Sequence, residues 1–218
     1  MTRRRTSVLG LLTTVSLTLV GTLGAVPAAS AHSGSPTGTQ SLASVLAADE
    51  GFDNRAGDFD IVDAAVGAVL EAKPTSAVAV LADGTTPVTA FLPNDRAFRR
   101  LAHDLTGRWY RSESRIFTTL AGALGVDTIE SVLLYHVVPG ATIGYRAAVQ
   151  SDGATLTTAL EGATAEVNVF KGSYGYRRVA VVDNDPDARN GVVVLANINR
   201  GNLQIAHGIN RVLRPVDL

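Results

Sequence analysis

Apolar residues recur at helical spacing through the first half of the chain, and polar residues mark where each helix begins. Ser41 is a plausible N-cap for a short amphipathic helix in SLASVLAADE, and Asp60 for a second helix, IVDAAVGAVLEA. The second helix is apolar on nearly every side and ends before Pro74. A helix that is apolar all round is a buried one, so the pattern predicts a core helix here.

The next segments alternate between a strand and helices. TPVTAFLP predicts a strand that stops at Pro93, and Asn94 caps the helix NDRAFRRLAHDLTG, which ends at Gly107. A further helix is predicted from Ser112 to Gly125.

One more helix, TIESVLLY, runs directly into the stretch LLYHVVPG, Leu133 to Gly140. Asp127 and Glu130 form an approximate capping box at its start. LLYHVVPG itself predicts a helix end that passes into a strand, with Leu134 and Val137 in the core.

After residue 140 the pattern changes to short runs rich in Val, Ile and Thr, separated by Gly, Asp and Asn turns. These runs are TLTTAL, AEVNVFK, RVAVVD, GVVVLANI and IAHGINRVL. Helices followed by strands favour an α+β fold with antiparallel hairpins in the C-terminal half. No internal repeat or interior linker interrupts the chain, so we predict a single domain over residues 41–218.

The first 31 residues have the layout of a secretory signal peptide. Three arginines, Arg3 to Arg5, precede a largely apolar run from Val8 to Val26, and a small-x-small cleavage site ends at Ala31. An uncleaved membrane anchor is the alternative. Residues 32–40 are rich in Ser, Gly, Pro and Thr and predict a flexible leader.

Composition narrows the functional classes. Loss of the three leader arginines lowers the basic count from 19 to 16 against 20 acidic residues, which disfavours nucleic acid as a partner. The chain has no cysteine, so an exported form must be held together by its core and has no thiol nucleophile. No apolar run of about 20 residues follows the leader, and we expect no membrane contact after its cleavage. Free secretion is the simplest interpretation.

Three segments, in this order, resemble the motifs of fasciclin-like domains: AFLPNDRAFRRL (Ala90 to Leu101), LLYHVVPG, and AHGINRVLRP (Ala206 to Pro215). In the last segment Gly208 stands where the family usually has an apolar residue, and Asn210 where it usually has Asp. Each motif alone is weakly specific, but three in order with a matching helix-then-strand layout are a strong signal.

The resemblance implies a wedge-shaped, antiparallel-rich β-sheet core flanked by short helices in the N-terminal half. It also implies an extracellular domain that works in adhesion or matrix contact rather than catalysis, and its Tyr-His motif has been linked to cell attachment in animal relatives. Two connections look longer than the family's usual ones, Gly107 to Ser114 and the acidic turn near Asp183. Partner preference could reside in these connections.

The motif residues also have a structural interpretation. Pro93 ends a strand, Asn94 caps a helix, and Phe91 and Phe98 can pack across the corner between them. His207 alternates with Ile205 and Ile209 on one strand face, as core histidines with satisfied hydrogen bonds do.

His136 and His207 are the candidates for chemistry. We expect His136 to make buried hydrogen bonds between the helix end and the strands, or to lie with Tyr135 at the edge of a contact surface. A secreted hydrolase with either histidine as general base is the alternative. Zinc needs at least three ligands at tight spacing, so two isolated histidines predict no metal site, and no motif indicates a cofactor.

Trp109, Tyr110, Arg108 and Arg111 form the strongest candidate partner-binding cluster, because Trp, Tyr and Arg are enriched at binding hot spots. Alternatively, Trp109 fills the corner between two helices. Tyr174 and Tyr176 form a weaker cluster at a predicted hairpin tip.

The acidic turn DNDPDARNG places Asp183, Asp185 and Asp187 at alternate positions. It departs from the EF-hand pattern, because Ala188 and Val194 stand where glycine and a bidentate glutamate are needed. We predict a solvated hairpin turn, with weak calcium binding as the alternative.

Taken together, these patterns predict a secreted, non-enzymatic adhesion module with no catalytic residues, whose partner is an extracellular protein or polysaccharide. A hydrolase and a binder of small apolar ligands are the alternatives.

Overall fold

Most helices precede residue 136 and most strands follow it, in a computed structural model that describes residues 37–49, 51–53 and 55–217. The predicted signal peptide and residues 32–36 of the predicted leader lie outside the described residues. The helices are α1 (Leu42–Leu46), α2 (Asp60–Ala72), a 3₁₀ helix (Ala77–Ala82), α3 (Asp95–Thr106), α4 (Glu113–Tyr135) and α5 (Tyr145–Ala148). The strands are β1 (Val88–Pro93), β2 (Val137–Pro139), β3 (Thr155–Thr157), β4 (Thr164–Lys171), β5 (Arg177–Val182), β6 (Gly191–Ile198) and β7 (Gln204–Ile209).

The seven strands form one sheet in the order β2-β1-β7-β6-β5-β4-β3. Every neighbouring pair is antiparallel except β1 and β7, which run parallel with Ala90 opposite Ala206. The backbone N–H of Ala159 donates to the carbonyl of Val137 at 2.7 Å, so the two ends of the sheet lie close together and the sheet is nearly closed. The predicted α+β class with an antiparallel-rich sheet is confirmed.

Two hydrophobic clusters occupy the two faces of this sheet. The first packs α2, α3 and α4 against alternate residues of β1, and includes Ala90, Leu92 and Phe98. The second includes Phe91 together with residues of β4, β5 and β7. Side chains alternate along a strand, so Phe91 on β1 faces the second cluster, whereas Phe98 on α3 belongs to the first. This corrects our expectation that the two rings pack against each other.

Several predicted helix ends are confirmed. The Asn94 side chain accepts from the backbone N–H of Ala97 at 3.0 Å, and Ser41 does the same for Ser44 at 3.2 Å. Gly107 ends α3 in the left-handed conformation with φ 69°, which glycine adopts without a steric cost. Gly125, with φ 74°, interrupts α4 where the sequence predicted one helix to end and another to begin.

Two predicted caps are wrong. Asp60 does not cap α2 but is its first residue, and the Asp95 carboxylate accepts the backbone N–H of Ile61 at 2.9 Å instead. Asp127 and Glu130 both pair with Lys73 rather than forming a capping box, with Glu130 Oε2 at 2.5 Å from Lys73 Nζ. In both cases a side chain from another part of the chain replaces the predicted local interaction.

The C-terminal end of the predicted leader contacts the turn before β7. Gly38 donates to the carbonyl of Gly201 at 3.0 Å and accepts from the N–H of Leu203 at 2.8 Å. The leader's composition did not predict this contact.

Candidate functional site

His136 lies at the junction between α4 and β2, where it joins three parts of the chain. Its side chain is only 3% exposed. Nδ1 donates to the carbonyl of Val132 at 2.7 Å, and Nε2 accepts the backbone N–H of Leu213 at 2.8 Å. Because the Leu213 N–H occupies Nε2, the proton of the neutral ring is on Nδ1. Burial lowers the pKa of His136 to about 4. The ring is therefore neutral at ordinary pH and ties the helix end to the C-terminal segment.

Tyr135 is also in the interior, with an exposed fraction of 1%. Its hydroxyl donates to the carbonyl of Thr164 at 2.8 Å, and burial, with a contribution from the charge of Asp183, raises its pKa to about 12. Tyr135 and His136 are two of the partner-binding residues predicted from the sequence. Burial corrects that interpretation, because neither side chain presents a surface to a partner, and supports the structural one.

His207 has the same character on β7. It is 1% exposed, Nε2 donates to the carbonyl of Ile143 at 2.8 Å, and Nδ1 accepts the backbone N–H of Asn197 at 3.3 Å. Burial lowers its pKa. The predicted core role of His207 is confirmed. A general base must reach the proton that it abstracts, and neither His136 nor His207 has a ring nitrogen free for that purpose.

Trp109 lies on the surface, in the connection between α3 and α4. It is 63% exposed, so our alternative that it fills the inter-helix corner is wrong. Its indole stacks on the His103 ring, with centroids 4.0 Å apart and planes at 21°. Arg108 and Arg111 on either side are exposed, whereas Tyr110 is half-buried against the core. We call His103, Arg108, Trp109 and Arg111 the Trp109 surface.

The connection that carries the Trp109 surface is held at both ends. Gly107 closes α3, and Ser112 caps α4 by accepting the N–H of Arg115 at 3.4 Å. Between them, the Arg99 guanidinium donates to the carbonyl of Arg111 at 3.3 Å. The sequence placed these residues between two helices correctly, but it did not show that His103 would support the indole.

A second exposed aromatic cluster occupies the turn between β4 and β5. Tyr174 is 90% exposed and Tyr176 is 77% exposed, and the Arg178 guanidinium lies 5.9 Å from the centroid of Phe170 nearby. The predicted hairpin-tip position is confirmed.

The acidic turn between β5 and β6 is in the predicted place but is less solvated than predicted. Asp185 is only 2% exposed: Oδ1 accepts the N–H groups of Asp187 and Ala188, and Oδ2 pairs with Arg214 Nη1 at 3.2 Å. Asp183 Oδ2 accepts the N–H of Arg214 at 2.9 Å. Since Asp185 binds protein donors through both oxygens, this geometry does not favour calcium at the turn.

An apolar cavity of about 40 Å³ lies between α2, α3 and α4. Small-molecule pockets usually enclose about 300 Å³ or more, so this cavity does not favour the alternative of an apolar-ligand binder. Its lining is hydrophobic apart from His136, and includes Ile61, Phe98, Leu120, Leu133 and Val212.

Among the described residues, α4 alone is long and apolar enough to cross a membrane by length and composition. Gly125 interrupts its helical geometry, and Ile116, Leu120, Val132 and Leu133 pack in the first hydrophobic cluster. These four residues pack one side of α4 against the domain core.

One group that the sequence did not predict is formed by the carboxylates of Asp58, Asp95 and Glu113, of which the last two are buried. Each offers an oxygen within 4.8 Å of the others. Burial is the main reason that the pKa of Asp95 rises to about 9, and the neighbouring carboxylate of Asp58 adds to the rise; burial also raises the pKa of Glu113. The sequence signal was slight, because Asp95 and Glu113 each look like an ordinary acid in the first turn of a helix.

Comparison with known proteins identifies the family. The family model of the Fasciclin domain matches residues 68–215. No curated protein matches the chain. One similar solved structure is a FAS1 domain pair from the insect cell adhesion molecule Fasciclin I, with 19% identity and a TM-score of 0.43, covering 68% of this chain and 45% of that one. The chain thus spans less than half of that structure. Fasciclin domains are known in cell-adhesion proteins, and are typically extracellular and non-enzymatic. Because the family model matches more than half of its length, the chain belongs to the fasciclin family.

Proposed function

We propose that this chain is a secreted, non-enzymatic adhesion module that contacts an extracellular protein or polysaccharide through the Trp109 surface. The observation that carries the proposal is the exposed indole of Trp109, held flat against His103 at a centroid distance of 4.0 Å. A large aromatic side chain that is exposed and already ordered loses little conformational entropy on binding. Membership in the fasciclin family supports the general role in adhesion.

The chemistry of the Trp109 surface suits a partner that offers a flat apolar face beside negative charge. The free face of the indole can stack on a sugar ring or an apolar side chain. Arg108 and Arg111 are both exposed, and guanidinium groups pair with carboxylates or sulfates through two parallel hydrogen bonds. A polysaccharide with acidic substituents and an acidic protein surface both meet this description.

Contact through Tyr135 and His136 would require the core to open, because both are buried. The turn between β4 and β5 also exposes aromatic residues, but no ring contact supports Tyr174 or Tyr176 within the described residues. The Trp109 surface therefore has the better-ordered aromatic group, which favours it as the contact.

The proposal is tested by binding measurements on the purified protein. A panel of extracellular matrix proteins and of neutral and acidic polysaccharides identifies the partner class, and Trp109→Ala is then compared with the wild type. We expect at least a tenfold weaker affinity, which corresponds to about 1.4 kcal/mol, the range of a hot-spot residue. Arg108→Ala should weaken binding less, and the loss should shrink at high salt.

Tyr174→Ala is the matched control, since it removes an aromatic side chain with still greater exposure at a different turn. It should leave the affinity unchanged. Loss of binding in Tyr174→Ala with normal binding in Trp109→Ala would contradict the proposal and place the contact on the β4–β5 turn. No binding to any member of the panel would also count against it.

A further inference from the structure

Three carboxylates converge where the starts of three helices meet. Asp58 lies in the loop just before α2, Asp95 is the first residue of α3, and Glu113 is the first residue of α4. Asp95 and Glu113 are 0% and 1% exposed, and Asp58 is half-buried. One oxygen from each lies within 4.8 Å of the other two. Carboxylates are almost never buried unless they are paired, so this arrangement requires an explanation.

Backbone donors hold one oxygen of each fully buried acid in place. Asp95 Oδ1 accepts the N–H of Ile61 at 2.9 Å, and Glu113 Oε2 accepts the N–H of Asp53 at 2.8 Å. Asp95 Oδ2, Glu113 Oε1 and both oxygens of Asp58 are shielded from solvent and have no hydrogen-bond partner. In Asp95 and Glu113, the hydrogen bond to one oxygen of the carboxylate therefore also fixes the position of the free oxygen. A buried acceptor without a partner costs free energy of folding.

Within the part of the chain that the structure describes, no cationic side chain neutralises these acids. Among residues 37–49, 51–53 and 55–217, none of the ion pairs involves Asp58, Asp95 or Glu113. Asp60 adds a fourth buried carboxylate beside them, with Oδ2 accepting the N–H of Asp53 at 3.2 Å. The acidic turn near Asp185 differs in this respect, because Arg214 supplies its positive charge.

We propose that Asp58, Asp95 and Glu113 bind one calcium ion. Calcium takes oxygen ligands at about 2.3–2.6 Å, so two ligand atoms on opposite sides of the ion are about 4.8 Å apart. One oxygen from each acid lies within that distance of the other two, and four oxygens of the group have no hydrogen-bond partner. Loop carbonyls and water supply the remaining ligands in calcium sites of this kind. Zinc prefers nitrogen and sulfur ligands, and no histidine or cysteine belongs to this group. The bound ion would hold together the beginnings of α2, α3 and α4.

The competing explanation is that protons, not calcium, neutralise the site, with one proton shared between Asp58 and Asp95. Asp58→Asn separates the two explanations. The Asp58 side chain accepts no hydrogen bond in the structure, and its carbonyl, which accepts the N–H of Asp95 at 3.1 Å, is unchanged by the substitution. The variant therefore loses a charged ligand without losing a structural bond, and should fold normally.

The experiment follows thermal unfolding and calorimetric titration of the purified protein after removal of divalent ions with EGTA. At about 10 mM CaCl₂, a site with a dissociation constant of about 1 mM raises the melting temperature by about 3–6 °C. We expect that rise, and saturable heat of binding, in the wild type. MgCl₂ at the same concentration should give a smaller rise, because magnesium demands a stricter octahedral geometry.

Asp58→Asn should lose most of the calcium-dependent rise while its melting temperature without calcium is at least that of the wild type. Glu161→Gln, which removes an exposed acid in the turn before β4, is the control and should respond to calcium as the wild type does. An unchanged melting temperature of the wild type in calcium would overturn the proposal. So would an equal rise in Asp58→Asn, or an equal rise with magnesium.

Discussion

The Tyr135–His136 segment and the connection between α3 and α4 both carry aromatic and nitrogen-containing side chains, but the fold places these side chains in different environments. Tyr135 and His136 have exposed fractions of 1% and 3%, and all their polar side-chain atoms contact backbone groups, one in the same helix and two in distant segments. Trp109 is 63% exposed and contacts a neighbouring side chain of its own surface. The segment that resembles the family motif thus builds the interior, while the connection between α3 and α4 presents aromatic and basic groups to solvent.

The difference shows why a motif shared with a family does not by itself mark a contact surface. A polar residue inside a folded domain must match specific donors and acceptors, so its identity is constrained by the fold. A connection between two helices is free of most of these constraints and can vary with the partner. The difference in exposure therefore favours the Trp109 surface as the place where a partner binds.

Removal of His136 and of His103 in turn tests the division between an interior and a surface region most directly. In His136→Ala the Leu213 N–H and the Val132 carbonyl lose their buried partner and a cavity opens, so we expect a loss of about 3–5 kcal/mol in the free energy of unfolding. His103→Ala removes the same ring from beneath Trp109 at the surface and should cost less than about 1 kcal/mol.

Denaturant unfolding of both variants at neutral pH measures the difference between the two histidine substitutions. Comparable losses would contradict the division into an interior and a surface region.

The burial of His136 predicts that the free energy of unfolding depends on pH. The pKa of His136 is about 4 in the folded chain and near 6.5 when unfolded, so below pH 6.5 the unfolded state binds more protons. The contribution of neutral His136 is present above pH 6.5 and is lost as the pH falls through the folded pKa, which amounts to about 3 kcal/mol by pH 4.

Comparison of wild type with His136→Gln between pH 7 and pH 4 isolates this effect, because the carboxylates titrate in both proteins. The stability advantage of the wild type should shrink steadily across that range. A difference that stays constant with pH would mean that the ring is not protonated selectively in the unfolded state.

Local features of the fold could be predicted from the sequence. The Asn94 cap, the Gly107 helix end and the Gly125 break each depend on a residue's own conformational preference, and all three are observed. The division into helices and later strands follows from hydrophobic period, and so does the core position of His207.

Features that depend on distant segments could not be predicted. Asp95 caps α2 from another helix, and the parallel pairing of β1 with β7 joins residues more than 100 positions apart. The 3₁₀ helix Ala77–Ala82 was missed because AVAVLA has no distinct period. The carboxylate group could not be predicted either, because only the packing of α2, α3 and α4 brings Asp58, Asp95 and Glu113 together.

The smallest expected effect on stability concerns Trp109 itself. Trp109→Ala removes a side chain that is largely exposed and whose ring contact is with His103, so the free energy of unfolding should change by no more than about 0.5 kcal/mol. Denaturant unfolding of this variant checks the value, beside Leu120→Ala, which truncates a buried residue of α4 and should cost about 2–5 kcal/mol. A loss in Trp109→Ala close to that of Leu120→Ala would show that the indole supports the fold, and its exposure would no longer favour a binding role. If Trp109→Ala is stable but does not bind, the loss of binding comes from the loss of a direct contact with the partner, because the fold is unchanged.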